Sequence, residues 1–159
     1  MERQMIALLA IEPEFADQIL SGEKRYEFRR TTFADHDTVD FVCLYASSPE
    51  QRIVGGFTTD RAVEERPGEL WERFGAASGI ADRARFLDYF DGADTGYAMR
   101  VTESFEFPEP IDPNSLFDDF HPPVSFRYLD ANEVRALSNE ISSARGNGEE
   151  IPLPRFADD

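Results

Sequence analysis

The chain has 159 residues, enough for one domain with its own core. A hydrophobic fraction of 41% with 14 Phe excludes a disordered chain. Thirty-two acids against 16 bases give a net charge of -16, which argues against a broad basic face for nucleic acid.

In chain order, Met5 to Ile11 is an apolar run that predicts a strand buried on both faces. It is also the longest such run and is far too short to cross a bilayer. Pro13 suits the first turn of a helix. Phe15, Ala16, Ile19 and Leu20 give that helix one apolar face, and Gly22 ends it. From Lys24 to Arg29 the side chains alternate: Lys24, Tyr26 and Phe28 point one way, Arg25, Glu27 and Arg29 the other. Glu27 and Arg29 are thereby neighbours. Lys24 reaches them only from a turn after Gly22, with the strand beginning beyond it, and that placement is expected. Thr31 to Thr38 is polar and reads as a loop. Val39 to Ala46 predicts a buried strand with Cys43 as a small core hydrophobe.

Ser47 to Gln51 reads as a turn. Arg52 to Thr59 returns as a strand, with a bulge or close approach at Gly55 and Gly56. Leu70, Trp71 and Phe74, then Ile80 to Phe90, predict one or two helices punctuated by Gly75 and Gly79 and closed by Asp91 and Gly92. Gly96 to Val101 predicts a strand extending toward Phe107, followed by an irregular crossing at Pro108, Pro110 and Pro113. His121 to Tyr128 is a last extended segment. Asn132 to Ser143 is expected as a terminal helix before a loose acidic tail.

The expected class is α+β, mainly β: a small closed or nearly closed barrel of five or six strands, with helices flanking a cleft at its mouth. Helices do not alternate regularly with strands, which disfavours a doubly wound sheet. Residues 1–130 are assigned to the domain and 131–159 to the terminal helix and tail. No charged-then-apolar leader opens the sequence, so the expectation is a soluble, cytoplasmic protein.

Lys24 is the only lysine; the other 15 bases are arginine. Arginine cannot replace an ammonium that must fit a small pocket or surrender a proton. The competing reading is a chance survivor on a solvated strand, beside an ordinary Glu27–Arg29 ion pair. Lysine depletion with excess acid matches a halophilic protein. At molar salt, electrostatic reach shrinks to roughly 3 Å, so a nucleic-acid partner is held by close hydrogen bonds and stacking. One cysteine makes no internal disulfide, and with only His36 and His121 beside it no metal-binding set is expected. No cofactor is implied.

Gly22-x-Lys24-x-x-Glu27-x-Arg29 resembles the signature of the ASCH family, a branch of the PUA-like superfamily. The resemblance continues in Leu8 to Ala16 and Ile19 to Gly22, in Tyr45-Ala46-Ser47-Ser48-Pro49 followed by Ile53-Val54-Gly55, in Gly96-Tyr97-Ala98, and in Pro122-Pro123-x-Ser125-Phe126-x-Tyr128. It runs in order from residue 5 to residue 129; the last thirty residues match nothing familiar. It implies a PUA-like barrel with Lys24, Glu27 and Arg29 looking into a cleft. Members bind RNA or nucleotide-like ligands. Some relatives are amidohydrolases acting on acetylated cytidine, and others are metal-dependent ribonucleases.

The expected ligand-binding set is Lys24, Glu27, Arg29, Tyr45, Ser47, Ser48 and Ser125. Lys24 grips a phosphate or base carbonyl, or acts as a general base if desolvated. Arg29 holds Glu27 ionised, so that Glu27 accepts from an exocyclic amine. Ser47, Ser48 and Ser125 donate from turns. Tyr26, Phe28, Tyr45, Tyr97 and Phe126 are candidate stacking faces, though Phe28, Tyr97 and Phe126 fit a core as well. The leading expectation is a binding module for RNA or a nucleotide-like small molecule, with no membrane partner and its oligomeric state open. The alternative is a hydrolase with Lys24 and Glu27 catalytic. The amidohydrolase relatives place a threonine three residues after the lysine, where this chain has Glu27, and Thr31 and Thr32 lie too far along to replace it. A ribonuclease needs a metal or an acid–base pair, for which Glu27 is the candidate.

Overall fold

The computed structural model describes residues 5–30, 39–124 and 126–144. Its elements are β1 (Met5–Ile11), α1 (Pro13–Ser21), β2 (Tyr26–Arg29), β3 (Val39–Ala46), β4 (Arg52–Thr58), β5 (Ala62–Glu65), α2 (Pro67–Phe74), α3 (Arg83–Tyr89), β6 (Gly96–Arg100), β7 (Glu103–Ile111), β8 (Phe126–Tyr128) and α4 (Ala131–Ala144). The class is α+β, as expected. Among the described residues the hydrogen bonds close no barrel. The described residues form eight strands, not five or six, in a five-stranded sheet of order β7-β4-β3-β1-β8 and a three-stranded sheet of order β2-β6-β5.

The sheets are joined by a bent hairpin. β4 pairs with β7 in the first sheet, and β5, its continuation, pairs with β6 in the second. At the bend, Thr102 N donates to Thr58 O at 2.9 Å and Val101 N donates to Arg25 O at 2.9 Å. Strands that change sheets in this way make the corners of such packings. The single strand expected from Gly96 toward Phe107 is therefore two. The crossing expected at Pro108 and Pro110 is corrected too: both lie within β7. β7 is the edge of its sheet, where a residue without an N–H is tolerated. β5 escaped notice because Ala-Val-Glu-Glu shows no apolar alternation.

Alternation sorts the five-stranded sheet into two cores. Ile6, Leu8, Phe41, Cys43 and Tyr45 face one cluster, which α4 covers with Val134, Leu137 and Ile141. Ala7, Leu9, Ile11, Val42, Leu44 and Ala46 face another, with Ala16 and Ile19 of α1 and Met99 of β6. A third cluster sits beyond the small sheet, where Phe28 and Ala98 meet Leu70, Phe74, Phe86 and Phe90. No helix among the described residues is long and apolar enough to cross a membrane.

The glycine pair of β4 makes both the bulge and the close approach expected of it. Register slips between Ile53 and Gly55 on one side and between Leu44 and Tyr45 on the other. A Cβ on Gly56 would sit 2.7 Å from both Phe41 Cζ and Val42 O. Gly56→Val is expected to lower the unfolding free energy by about 1–3 kcal/mol in a denaturant titration, the usual cost of overpacking a core. Cys43 is 1% exposed and burial pushes its thiol pKa well up. It should stay unreactive to a thiol reagent until the protein unfolds.

Candidate functional site

The site is built around the end of α1. Gly22 takes the left-handed conformation at φ 89° and its N–H donates to Ile19 O, which turns the chain back. Lys24 N donates to Gln18 O at 3.0 Å and Arg25 N donates to Ala77 O at 2.8 Å. These two bonds pin Lys24 between α1 and the turn after α2, with its side chain directed inward and only 2% exposed.

The Lys24 ammonium donates to the carbonyl of Ser78 and lies 3.6 Å from Glu27 Oε1. It sits over the rings of Phe15 at 5.0 Å and Phe28 at 5.2 Å. Ser78 is held in turn: its hydroxyl donates to Gly75 O at 2.7 Å and accepts from Ile80 N at 3.1 Å. Gly79, at φ +75°, completes the turn; a Cβ there would run into Gln18 Oε1. Glu27 is 4% exposed on β2. Its Oε2 accepts from Arg29 Nη1 at 3.1 Å, and Arg29 Nη2 donates to Ala10 O at 3.2 Å. Glu27 and Arg29 are two residues apart on one strand, so one face carries both. Lys24 joins them from the turn, as the sequence reading required.

Two cations thus flank one buried carboxylate. Burial lowers the Lys24 pKa; the Glu27 charge and hydrogen bond raise it, and Arg29 lowers it again, leaving it below the ordinary 10.5. Between the folded value and 10.5 the unfolded chain binds more protons than the folded one. The Lys24 contribution to stability therefore rises with pH across that window and is flat outside it. Stability–pH curves of the parent and of Lys24→Met should differ by this slope, which the variant loses.

The three groups form the floor of a cavity of about 250 Å³. Ile11, Phe15, Phe28, Ile80 and Phe86 make apolar walls, and Glu12, Ser47 and Tyr89 also line it. The weak dielectric of such walls strengthens polar contacts at the floor. Tyr89 is 43% exposed. Burial raises its hydroxyl pKa, Arg29 lowers it and Glu27 raises it, with the net shift upward. It stays a neutral donor at physiological pH. Among the described residues, no three His, Cys, Asp or Glu side chains gather into a metal-binding set.

The structure thus brings together Lys24, Glu27, Arg29 and Ser47. Ser48 is exposed in the turn and does not line the cavity. Tyr45 does not line the cavity: it is 3% exposed in the core with Phe41 and Cys43, its ring 5.1 Å from that of Phe120. Alternation along β3 sends it to the sheet face opposite Ile11. Ser125, like Thr31, Thr32, His36 and the tail beyond residue 144, lies outside the described residues. Of the other stacking candidates only Phe28 lines the cavity, edge-on to Phe86 at 4.9 Å. Tyr26 packs on Phe74 at 4.3 Å and Phe126 meets Tyr128 edge-on at 5.8 Å. The sequence reading missed Phe86 and Tyr89 as site residues, although their spacing of three on one helix was a signal that they share a face.

No family model matches the chain. An ASCH domain-containing ribonuclease of Zymomonas mobilis is 28% identical over 137 residues, covering 82% of this chain and 88% of that protein. A crystal structure of ASCH from Zymomonas mobilis superposes with a TM-score of 0.77 at 26% identity, over 84% of this chain and 94% of that one. A serine-to-alanine variant of the same protein gives a TM-score of 0.80 at 24% identity, over 88% of this chain and 99% of that one. A protein named ATP synthase subunit alpha, from Ureaplasma parvum, is 27% identical over 128 residues, which are 80% of this chain but 16% of that protein. The signature on β2 and its preceding turn, the ordered motifs around it and these relatives agree: the chain is similar in sequence and fold to ASCH domain proteins.

Proposed function

We propose that the chain binds RNA by holding one unpaired or modified nucleotide in the Lys24 cavity. One observation carries this reading: the only lysine, a carboxylate and an arginine converge, nearly dry, on the floor of one apolar cavity. A volume of about 250 Å³ lies just below the usual ligand range of about 300–1,000 Å³. It suits a single base or nucleoside rather than a run of them. The base must be unpaired, since stacked bases in a duplex cannot enter. Lys24 donates to a carbonyl or phosphate oxygen. Glu27, fixed by Arg29, accepts from an exocyclic amine. Phe15 and Tyr89 offer ring faces, and Ser47 offers a hydroxyl.

A second reading is hydrolysis, favoured by the ribonuclease name of the Zymomonas mobilis relative. A lysine with a depressed pKa beside a carboxylate suits acid–base work on RNA. Acyl transfer is less well served, because Glu27 stands where a hydroxyl nucleophile is needed. Mass spectrometry of the protein with short single-stranded RNAs and with modified and plain nucleosides, with and without divalent metal, separates the readings. Saturable binding without product is the expected result. Product that disappears in Lys24→Ala would make the chain a hydrolase. Neither binding nor product would remove the cavity from RNA chemistry altogether.

A further inference from the structure

A polar groove of about 500 Å³ borders the segment that follows Lys24, at Arg25 and Tyr26. It is lined by Arg25, Arg61 and Arg100, with Tyr26 and Thr102. The three arginines come from three neighbouring strands of the small sheet, each at the same end. Arg25 precedes β2, Arg100 ends β6 and Arg61 immediately precedes β5. Backbone hydrogen bonds lock them in a row: Arg100 N donates to Arg61 O at 3.1 Å and Val101 N donates to Arg25 O at 2.9 Å. The register that sets Ala62 opposite Met99 sets Arg61 opposite Arg100.

Like charges directly opposite each other across strands are destabilising. In a chain with twice as many acids as bases, a carboxylate at this place would have been the ordinary choice. Among the described residues, Arg25 and Arg61 have no carboxylate partner. Arg100 has one, Asp60 at 3.2 Å, but both side chains are about half exposed, so that pair is weak and readily shared. Three arginines line one groove, two of them without a carboxylate partner among the described residues, and their guanidinium groups are forked donors that fit phosphate oxygens. Arg25 is the residue next to Lys24, and the Ala77–Ser78 turn borders both sites: Ala77 lines the groove and Ser78 O holds the Lys24 ammonium.

We infer that this groove is a phosphate subsite for the backbone of the same RNA strand whose base enters the Lys24 cavity, which rests on the cavity reading above. The cavity reads one nucleotide and the arginine row holds phosphates flanking it. A single nucleoside therefore feels only the cavity, and a longer strand feels both.

The test is equilibrium binding of a nucleoside and of a short single-stranded RNA to the parent, to R25Q/R61Q/R100Q and to the charge-retaining R25K/R61K/R100K, at several salt concentrations. All substitutions are at exposed positions, and circular dichroism checks folding. The glutamine variant should keep the parent's nucleoside affinity. It should bind RNA about tenfold more weakly, with a salt slope shallower by about 2, given about 0.7 per single-strand phosphate contact. The lysine variant should keep most of the slope. RNA affinity and slope unchanged in the glutamine variant, with nucleoside still saturating, would overturn the subsite and leave the cavity reading standing. RNA binding that depends on the arginines, with no Lys24-dependent nucleoside binding, would sink the cavity reading and keep the phosphate site. No binding of either ligand to the parent would overturn both.

Discussion

Lys24→Ala weakens saturable nucleotide binding by about 10- to 150-fold, the equivalent of the roughly 1.5–3 kcal/mol that one hydrogen bond to a charged group supplies. The Lys24 ammonium is a charged donor at the cavity floor, and the aromatic walls keep competing water away from it. Arginine at the same position should not rescue binding. A guanidinium is larger and planar, and the pocket between Phe15, Phe28 and Ser78 O is shaped to an ammonium. Fluorescence or calorimetric titration reads the loss, and circular dichroism must show an intact fold. Affinity unchanged within twofold would take Lys24 out of the site.

Glu27→Leu costs stability, by about 3–5 kcal/mol in a denaturant titration, the range seen when one partner of a buried ion pair is removed. The carboxylate bridges the two cations, with Oε1 3.6 Å from the Lys24 ammonium and Oε2 3.1 Å from Arg29 Nη1. Without it, the buried Lys24 ammonium loses its carboxylate neighbour and Arg29 loses the bond to Oε2. In a chain of this size each kcal/mol moves Tm by about 2–4 °C, so the fall should be large. Glu27→Leu combined with Lys24→Met should be less harmful than the two single effects summed, because the second change removes the repulsion left by the first. Strict additivity would mean that the Lys24–Glu27 pair at 3.6 Å is energetically idle.

One side of the site was legible in the sequence, and the other was not. Lys24, Glu27 and Arg29 lie within six residues, so a turn and the two-residue period of a strand suffice to bring them together. Phe86 and Tyr89 come from α3, and only tertiary packing carries that helix over β2. Tyr45 shows the limit of alternation. The period says that Tyr45 and Leu44 face opposite ways, but not which face borders the cavity. The sheet arrangement failed to show for a related reason. The bend between Thr58 and Thr102 depends on which strands exchange hydrogen bonds, and local pattern does not encode it. Where a residue's role is set by its own backbone conformation, as at Gly22 and at the Gly55–Gly56 bulge, the sequence reading and the structure agree.

Because the chain has a single lysine, labelling lysine with ¹⁵N at Nζ gives one side-chain nitrogen signal and an unambiguous probe of the cavity. Titrating that sample with a nucleoside or short single-stranded RNA, followed by NMR, tests the central claim most directly. The signal should shift saturably, with the same midpoint as the binding isotherm, and its own pH titration should lie below 10.5. Tight RNA binding that leaves the Lys24 signal unmoved would contradict the account, because the ligand would then be held elsewhere on the protein.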